Sequence, residues 1–164
     1  MSMRCPAPAF EKKICTMEEL AARAVALPHP VVFTNGVFDI LHRGHVTYLA
    51  QARALGASLV VALNSDASVR MLGKGDDRPI NTEMDRAAVL AALEAVDLVV
   101  IFPEKVPLKP LELARPEIYV KGGDYEPEDL PEAKLAATWG GKCITITFEH
   151  QRSTTALLKK VRSA

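Results

Sequence analysis

Short apolar runs alternate with helical patterns along the whole chain. Runs rich in Val, Ile and Leu, with no polar alternation, predict five buried strands, over 31–34, 58–63, 97–102, 118–121 and 144–148. Strands that are apolar throughout are typical of a parallel sheet covered on both faces. The pattern therefore predicts an α/β fold, a Rossmann-like three-layer α/β/α sandwich around a five-stranded, mainly parallel sheet.

Helix start and stop signals mark the segments between these strands. Thr16 and Glu19 have the spacing of a capping box, and Pro28 follows the helix that they open. Thr82 and Asp85 repeat this spacing before an Ala- and Leu-rich helix that reaches about residue 95. Further helices are predicted over about 44–55, 107–115, 131–139 and 154–162. With no repeat or linker, the pattern predicts one domain over 1–164, with an N-terminal helical extension over 1–29 and a catalytic core over 30–164.

Charge and composition exclude several classes of partner. Lys plus Arg and Asp plus Glu both number 20, so no net field would attract nucleic acid or an anionic membrane surface. The apolar run over 98–102 is far too short to cross a bilayer, and no secretory signal precedes it. Cys5, Cys15 and Cys143 are widely spaced without a C-x-x-C pattern, which predicts reduced thiols in a cytoplasmic protein.

The residues His42, Arg43, Gly44 and His45 come shortly after the first of the apolar runs. Side chains three residues apart share one helical face, and a glycine lets a phosphate approach the backbone. A helix N-terminus adds unpaired N–H donors and a partial positive charge. An isolated H-x-G-H is more often a surface feature, but open α/β sheets bind ligands at the carboxyl ends of their strands. We interpret this pattern as a nucleotide site.

Several common phosphate and catalytic motifs are absent from the sequence. No G-x-G-x-x-G follows the first strand, and the G-K-G at 73–75 lacks the spacing of a P-loop. There is no G-x-S-x-G elbow, and the histidines and cysteines do not have zinc-ligand spacing. The sequence therefore favours a phosphate site built from side chains and helix ends.

The run T-N-G-V-F-D-I-L-H-R-G-H over 34–45 resembles the first signature of the cytidylyltransferase-like nucleotidyltransferases. Further runs resemble one branch of that superfamily, the heptose 1-phosphate adenylyltransferases: N-S-D at 64–66, G-K-G at 73–75, R-P-I-N at 78–81, V-K-G-G-D-Y at 120–125 and S-T-T at 153–155. The likeness covers about 31–162. Glycerol-3-phosphate cytidylyltransferases share the H-x-G-H, but the K-G-G-D-Y run is not expected in them. Because no sugar-kinase domain is present, the chain resembles the stand-alone form of the adenylyltransferase.

The resemblance implies transfer of AMP from ATP to D-glycero-β-D-manno-heptose 1-phosphate, which gives ADP-heptose and pyrophosphate. The attacking phosphate monoester has a second pKa of about 6, so it is largely dianionic at neutral pH and needs no general base. Alignment and donors for the gathering negative charge are what the protein must supply. Mg²⁺ is the implied cofactor because metal ions neutralise triphosphate charge. The implied partners are ATP, the sugar 1-phosphate and a second copy of the chain in a homodimer.

Site roles follow from the resemblance together with residue chemistry. His42 and His45 are expected to donate to the triphosphate and the leaving pyrophosphate, and Lys74 and Lys121 to supply positive charge. Asp39 either holds Mg²⁺, directly or through water, or orients a histidine or the turn. Other expected nucleotide or phosphate contacts are Thr34, Asn35, Gly36, Phe38, Gly44, Asn64, Asp66, Arg78, Gly122, Asp124, Ser153, Thr154 and Thr155.

Several of these residues also have an ordinary structural interpretation. Phe38 is typical of a core residue, and Arg78 of an exposed loop arginine. The hydroxyl residues 153–155 are typical of a helix N-cap, while Asn64 and Asp124 are common in turns.

Two other functions remain open from the sequence. One is a cytidylyltransferase acting on glycerol 3-phosphate or a similar small phosphate, because a few contacts decide which base is bound. The other is a non-catalytic nucleotide-binding module that regulates a partner, although an intact set of phosphate-binding residues argues against it. A class I aminoacyl-tRNA synthetase also uses H-x-G-H-like chemistry, but this chain lacks the length and basic surface for that function.

Overall fold

The computed structural model describes residues 5–73, 75, 77–123, 126, 129–148 and 154–162. One sheet of parallel strands runs through this part of the chain in the order β1-β4-β3-β2-β5-β6. The strands are β1 (Ile14–Cys15), β2 (Val31–Gly36), β3 (Ser58–Asn64), β4 (Leu98–Phe102), β5 (Ile118–Gly122) and β6 (Lys142–Ile146). A 3₁₀ helix (Ala9–Lys13) precedes β1, and the helices are α1 (Met17–Val25), α2 (Arg43–Arg53), α3 (Asp66–Met71), α4 (Glu83–Ala91), α5 (Leu108–Ala114), α6 (Pro131–Ala137) and α7 (Thr154–Arg162).

The prediction of an α/β fold with a parallel sheet is confirmed, but the prediction of five strands is wrong. The additional strand, β1, pairs Ile14 with Val99 and Cys15 with Val100 at the edge of the sheet. Two residues are too few to show a periodic pattern, and they pair only because β4 offers an edge about 85 residues away in sequence. The N-terminal extension thus contributes a strand as well as a helix.

Local helix signals predict the helix starts well. Thr16 and Glu19 form the complete capping box of α1, with Thr16 Oγ1 accepting the Glu19 N–H and Glu19 accepting the Thr16 N–H. Thr82 Oγ1 likewise accepts the Asp85 N–H at the start of α4. That helix ends at Ala91, earlier than the predicted residue 95.

Helices cover both faces of the sheet. On the face covered by α1, α5 and α6, called the α1 face, the core includes Phe33, Leu111 and Tyr119. On the opposite face, called the α2 face, α2 and α4 pack over a core that includes Leu49 and Val61. Because side chains alternate along each strand, neighbouring residues of one strand belong to different faces.

The chain order places a switch point in the middle of the sheet. From β2 the chain passes to β3 and β4 on one side, and it then crosses to β5 and β6 on the other. The strand order therefore reverses between β2 and β5, which pair along Val32–Ile118, Phe33–Tyr119 and Thr34–Val120. Ligands of open α/β sheets bind in the crevice at such a point, outside the carboxyl ends of the strands.

Candidate functional site

Two histidines meet at the N-terminus of α2, next to the carboxyl end of β2. His42 is the N-cap residue of α2, and its ring stacks on that of His45 with centroids 3.8 Å apart and planes 20° apart. The Phe38 ring contacts His45 edge-on at 5.3 Å. Both ring nitrogens of His42 and Nδ1 of His45 are buried. This packing gives the two rings a common orientation.

The turn before α2 explains why Phe38 supports the histidines. Phe38 has a positive φ of 45°, and its ring folds back against the end of β2. A Cβ at Gly36 would lie 2.8 Å from Phe38 Cε2, so only glycine leaves room for this ring. Phe38 is buried in the α2-face core, which confirms its interpretation as a core residue.

Thr34 holds α2 against the switch point instead of facing a crevice. Its buried hydroxyl donates to the Val120 carbonyl at 2.9 Å and shares a hydrogen bond of 2.6 Å with the Tyr48 hydroxyl. Burial raises the pKa of Tyr48 to about 12, so its phenol stays neutral. The hydroxyl of Thr34 therefore joins β2, β5 and α2 in the interior, and a contact of Thr34 with the nucleotide stays a prediction.

On the α1 face, one buried carboxylate accepts hydrogen bonds from two side chains of β5. Glu132, in the first turn of α6, accepts hydrogen bonds from Lys121 Nζ at 3.2 Å and from the Tyr119 hydroxyl at 3.3 Å. The same hydroxyl lies 3.0 Å from Asn35 Oδ1, so its single proton is shared between the two acceptors. Asn35 and Lys121 lie near the carboxyl ends of neighbouring strands, so this network reaches the switch point.

The end of β5 also depends on a glycine. A Cβ at Gly122 would lie 2.4 Å from Phe148 Cζ, so the Phe148 ring covers this position. The same ring lies 5.3 Å from that of Tyr48. Phe148 was predicted to lie within the last strand, but β6 ends at Ile146. The Phe148 ring instead packs over the end of β5 at Gly122.

Asp39 holds segment 78–81, which agrees with its expected role of orienting the turn. Its carboxylate accepts hydrogen bonds from Arg78 Nε at 2.6 Å and from the backbone N–H groups of Ile80 and Asn81 at 2.9–3.0 Å. Burial alone would raise the pKa of Asp39, but these N–H groups and the Arg78 guanidinium together lower it below its ordinary value. Direct coordination of Mg²⁺ by Asp39 does not fit this arrangement, because its oxygens already hold segment 78–81. Arg78 is buried, so its interpretation as an exposed loop arginine is also wrong.

A second buried arginine lies on α4, and no local pattern predicted its burial. Arg86 on α4 is 1% exposed and donates to the Val37 carbonyl, the Asn81 carbonyl and the Asp66 carboxylate. Asp66, expected at the nucleotide, is therefore bound to this guanidinium at 2.7 Å. The signal that could have found it is an arginine on the otherwise apolar face formed by Ala87, Leu90 and Ala91.

Asn64 also has an internal partner. Its amide donates to Ser68 Oγ at 2.7 Å, and Asn64 is 3% exposed at the end of β3. This contact agrees with its interpretation as a turn residue that stabilises the start of α3. Gly44 is buried in the first turn of α2.

Some expected residues cannot be placed. Lys74, Asp124 and Ser153 lie outside the described residues. Thr154 and Thr155 begin α7, but their side chains are outside the description. Among the residues that the structure describes, no group of three or more His, Cys, Asp or Glu side chains could hold a metal ion. No helix in the described ranges is long and apolar enough to span a bilayer.

The structure therefore gathers the described candidates at one edge of the sheet, but on two sides of it. The stacked pair of His42 and His45 belongs to α2, which packs on the α2 face. Lys121 and Asn35 share strand parity with Tyr119 and Phe33 of the α1 face. Their strands are neighbours, so the two groups flank the same switch point between β2 and β5.

Known sequences resemble this chain closely. A D-beta-D-heptose 1-phosphate adenylyltransferase from Bordetella bronchiseptica is 59% identical over 155 residues, which cover 93% of this chain and 96% of that protein. The bifunctional protein HldE of Cronobacter sakazakii is 54% identical over 132 residues, or 80% of this chain. The match spans only 28% of that longer protein.

Solved structures share the architecture. The lipopolysaccharide core biosynthesis protein from Thermoplasma volcanium superposes with a TM-score of 0.60 at 31% identity, covering 74% of this chain and 98% of that one. A pantoate-beta-alanine ligase from Francisella tularensis, at 14% identity, reaches a TM-score of 0.58 over 87% of this chain and 68% of its own, which shows a common fold alone. The family model described as cytidylyltransferase-like matches residues 33–157. This chain therefore belongs to the cytidylyltransferase-like family.

Proposed function

We propose that this chain is an adenylyltransferase that transfers AMP from ATP to D-glycero-β-D-manno-heptose 1-phosphate, giving ADP-heptose and pyrophosphate. The observation that carries this proposal is the 59% identity to a heptose 1-phosphate adenylyltransferase over nearly the whole length of both chains. An enzyme of the nucleotidyltransferase kind also agrees with the family match over residues 33–157.

The stacked histidines suit the electrostatic needs of this reaction. An oxygen of the sugar phosphate attacks the α-phosphorus in line, and pyrophosphate leaves with the bonding electrons. The substrate dianion is already a nucleophile, so no residue has to remove a proton. Each imidazole can donate an N–H, and the parallel planes of His42 and His45 let both donors serve one polyanion. The N-terminus of α2 adds backbone N–H donors beside Gly44.

Positive charge from lysines completes the proposed phosphate site. Lys121, fixed at the end of β5, supplies an ammonium on the other side of the switch point from the histidines. We assign Lys74, Asp124 and the hydroxyls of 153–155 to the same polyanion and to the nucleotide, as the family resemblance implies. Gly36 and Gly122 contribute by leaving room for the rings that close this edge.

We propose that Mg²⁺ enters bound to the triphosphate. The described carboxylates near the switch point are occupied, Asp39 by Arg78 and Glu132 by Lys121. Phosphate oxygens and water would therefore supply most of its ligands. When bound, the ion neutralises part of the charge that builds on the leaving group.

Assembly and location follow from the same proposal. We expect a homodimer, as in relatives of this family, and light scattering at known concentration measures its mass directly. ATP and sugar phosphates are cytoplasmic metabolites, so we assign the reaction to the cytoplasm. The expected destination of ADP-heptose is a heptose-containing glycan such as the lipopolysaccharide core.

Pyrophosphate release tests the proposed function. The protein is incubated with ATP or CTP, each combined with heptose 1-phosphate or glycerol 3-phosphate, and the nucleotide product is identified by mass spectrometry. The proposal predicts ADP-heptose from ATP and heptose 1-phosphate as the dominant product. Turnover with CTP but not with ATP would contradict the proposal and favour the cytidylyltransferase. Binding of ATP without pyrophosphate release would favour a regulatory module. A His42→Ala/His45→Ala protein controls for contaminating activity.

A further inference from the structure

Glu132 is a buried carboxylate that none of the roles above uses. It is 3% exposed, and α6 packs it against the α1-face core beside Ala136 and Leu135. Burying a carboxylate carries a large desolvation cost before its partners are counted, and apolar residues of similar volume often stabilise a core equally well. Stability alone therefore gives little reason for a glutamate at this place.

The partners of Glu132 share one location. Lys121 and Tyr119 are two residues apart on β5, so both point to the α1 face, and one oxygen of Glu132 contacts both. Tyr119 continues the network to Asn35 on β2, the strand on the other side of the switch point. One carboxylate thus connects the ends of the two strands that border the proposed phosphate site.

The hydrogen-bond chemistry fixes the orientation of each partner. An ammonium has three N–H donors, so the bond to Glu132 fixes Lys121 without exhausting its capacity to bind phosphate oxygens. Burial raises the pKa of Tyr119, and the negative charge of Glu132 raises it further, so the hydroxyl keeps its proton. Its single proton is shared between Glu132 and Asn35 Oδ1, and with Oδ1 on this side the other end of the Asn35 amide is the nitrogen, a donor.

We propose that Glu132 is a positioning residue that holds Lys121, and through Tyr119 also Asn35, as donors to the phosphates at the switch point. This inference rests on the proposed function, because Lys121 and Asn35 act on the substrate whereas Glu132 acts through them. The effect of Glu132 on the site has two parts. We call the contact from Glu132 to Lys121 the lysine arm, and the contacts from Glu132 through Tyr119 to Asn35 the asparagine arm.

The lysine arm is tested by coupling between Glu132 and Lys121. Glu132→Gln keeps the volume but removes the charge, and Glu132→Leu also removes the acceptor. We expect kcat/KM to fall about tenfold in Glu132→Leu and by a smaller factor in Glu132→Gln, as for loss of a hydrogen bond to a charged group. In a Lys121→Met background the same changes should lower kcat/KM by a smaller factor than in the wild type, because only the asparagine arm is left to lose.

The asparagine arm is tested by Tyr119→Phe. This change removes one hydroxyl and should lower kcat/KM about fivefold, the effect of one neutral hydrogen bond. It should do so in the Lys121→Met background as well, because Asn35 does not act through the lysine. An unchanged kcat/KM in Tyr119→Phe would remove the asparagine arm from the proposal.

Controls separate positioning from folding and from failure of the proposed function. Glu117→Gln makes the same replacement at the opposite edge of the sheet and should leave kcat/KM unchanged, and thermal melts check that every variant folds. Two results with an active wild type would overturn this inference but not the proposed function. One is a kcat/KM of both Glu132 variants within twofold of the wild type, and the other is an equal loss of kcat/KM in the wild-type and Lys121→Met backgrounds. If the wild type releases no pyrophosphate, the proposed function fails. The inference is then judged on the dissociation constant for ATP measured by calorimetry, which Glu132→Leu should raise by a larger factor when Lys121 is present than in the Lys121→Met background.

Discussion

The same kind of ion pair has different roles at the two ends of the strands. We call the side of the sheet where the strands begin the amino edge, and the side where they end the carboxyl edge. At the amino edge, Glu117 accepts the Val31 N–H at 2.7 Å and binds His29, with both side chains about half exposed. At the carboxyl edge, the Asp39–Arg78 pair is 0% and 6% exposed and holds a loop beside α2. The exposed pair satisfies the start of a strand, whereas the buried pair determines the shape of the proposed site.

Desolvation explains this difference. Each charge that is taken out of water loses several kcal/mol of hydration free energy. A buried pair therefore adds little net stability, but removing one partner is costly. Exposed pairs are screened and contribute about 0–1 kcal/mol. Pairs such as Asp97–Arg53, about one-third exposed at the amino edge, can therefore be lost with modest consequences. We expect changes at the carboxyl edge to affect activity and changes at the amino edge to affect stability alone.

The largest expected effect is on stability, in Asp39→Ala. Removing this carboxylate leaves the Arg78 charge buried without its partner, which should lower the free energy of unfolding by about 3–5 kcal/mol. Urea denaturation measures the loss, and kcat/KM should also fall because segment 78–81 is released. Asp97→Ala is the matched change at the amino edge. It removes the hydrogen bond to the Leu59 N–H as well as the exposed pair, so it should cost about 1–2 kcal/mol with kcat unchanged. Equal costs for the two variants would remove the distinction between the edges.

Replacing a histidine by alanine should lower turnover at the carboxyl edge but not at the amino edge. His45→Ala removes one oriented donor, so kcat should fall by about 10²–10³-fold, equivalent to about 2.7–4 kcal/mol of transition-state stabilisation. His29→Ala makes the same replacement at the amino edge and should leave kcat unchanged. A native-like melting curve with unchanged turnover in His45→Ala would refute the role assigned to this ring.

Two glycines give a smaller contrast. A Cβ at Gly56, near the amino edge, would lie 2.5 Å from the Pro30 carbonyl oxygen, so Gly56→Ala should cost about 1–3 kcal/mol by overpacking. At Gly122 the clash is with the ring of Phe148, which is 41% exposed and can rotate. Gly122→Ala should therefore cost less stability but lower kcat/KM several-fold by displacing that ring. Thermal melts and initial rates on both variants test this, and the reverse order would contradict it.

The smallest effect is a pH dependence at the amino edge. The hydrogen bond to Glu117 raises the pKa of His29, so the stabilisation is complete below the unfolded value of about 6.5 and is lost as pH rises through the folded value. In Glu117, burial would raise the pKa, but the Val31 N–H and His29 lower it, so its contribution is lost in acid. The Tm advantage of the wild type over His29→Asn should therefore shrink as pH rises from about 6 to 9. An advantage that grows with pH would reverse the sign of this linkage.

How far the sequence predicts the molecule depends on the distance over which each feature is determined. The capping box at Thr16 and the start of α2 after His42 depend on nearby residues, and both follow from pattern alone. By contrast, Asp39 meets Arg78 across 39 residues, so its role as an anchor depends on a contact that no local pattern contains.

Burial of polar groups was the other feature that the sequence could not supply. Thr34 sits in a signature that implies ligand contact, yet packing of α2 turns its hydroxyl inward. Glu132 lies in a polar stretch where a solvated helix start is the ordinary expectation, and only the packing of α6 on β5 brings it to Lys121. The signature thus identifies the region of the site, while tertiary packing decides which residues face it.

A crystal structure of the protein soaked with ATP shows directly where the triphosphate binds. We predict phosphate oxygens within hydrogen-bond distance of the His42 and His45 rings, at the N-terminus of α2, with Lys121 Nζ on the other side of the same polyanion. A triphosphate bound away from the carboxyl ends of β2 and β5, or touching only one of the two groups, would contradict it.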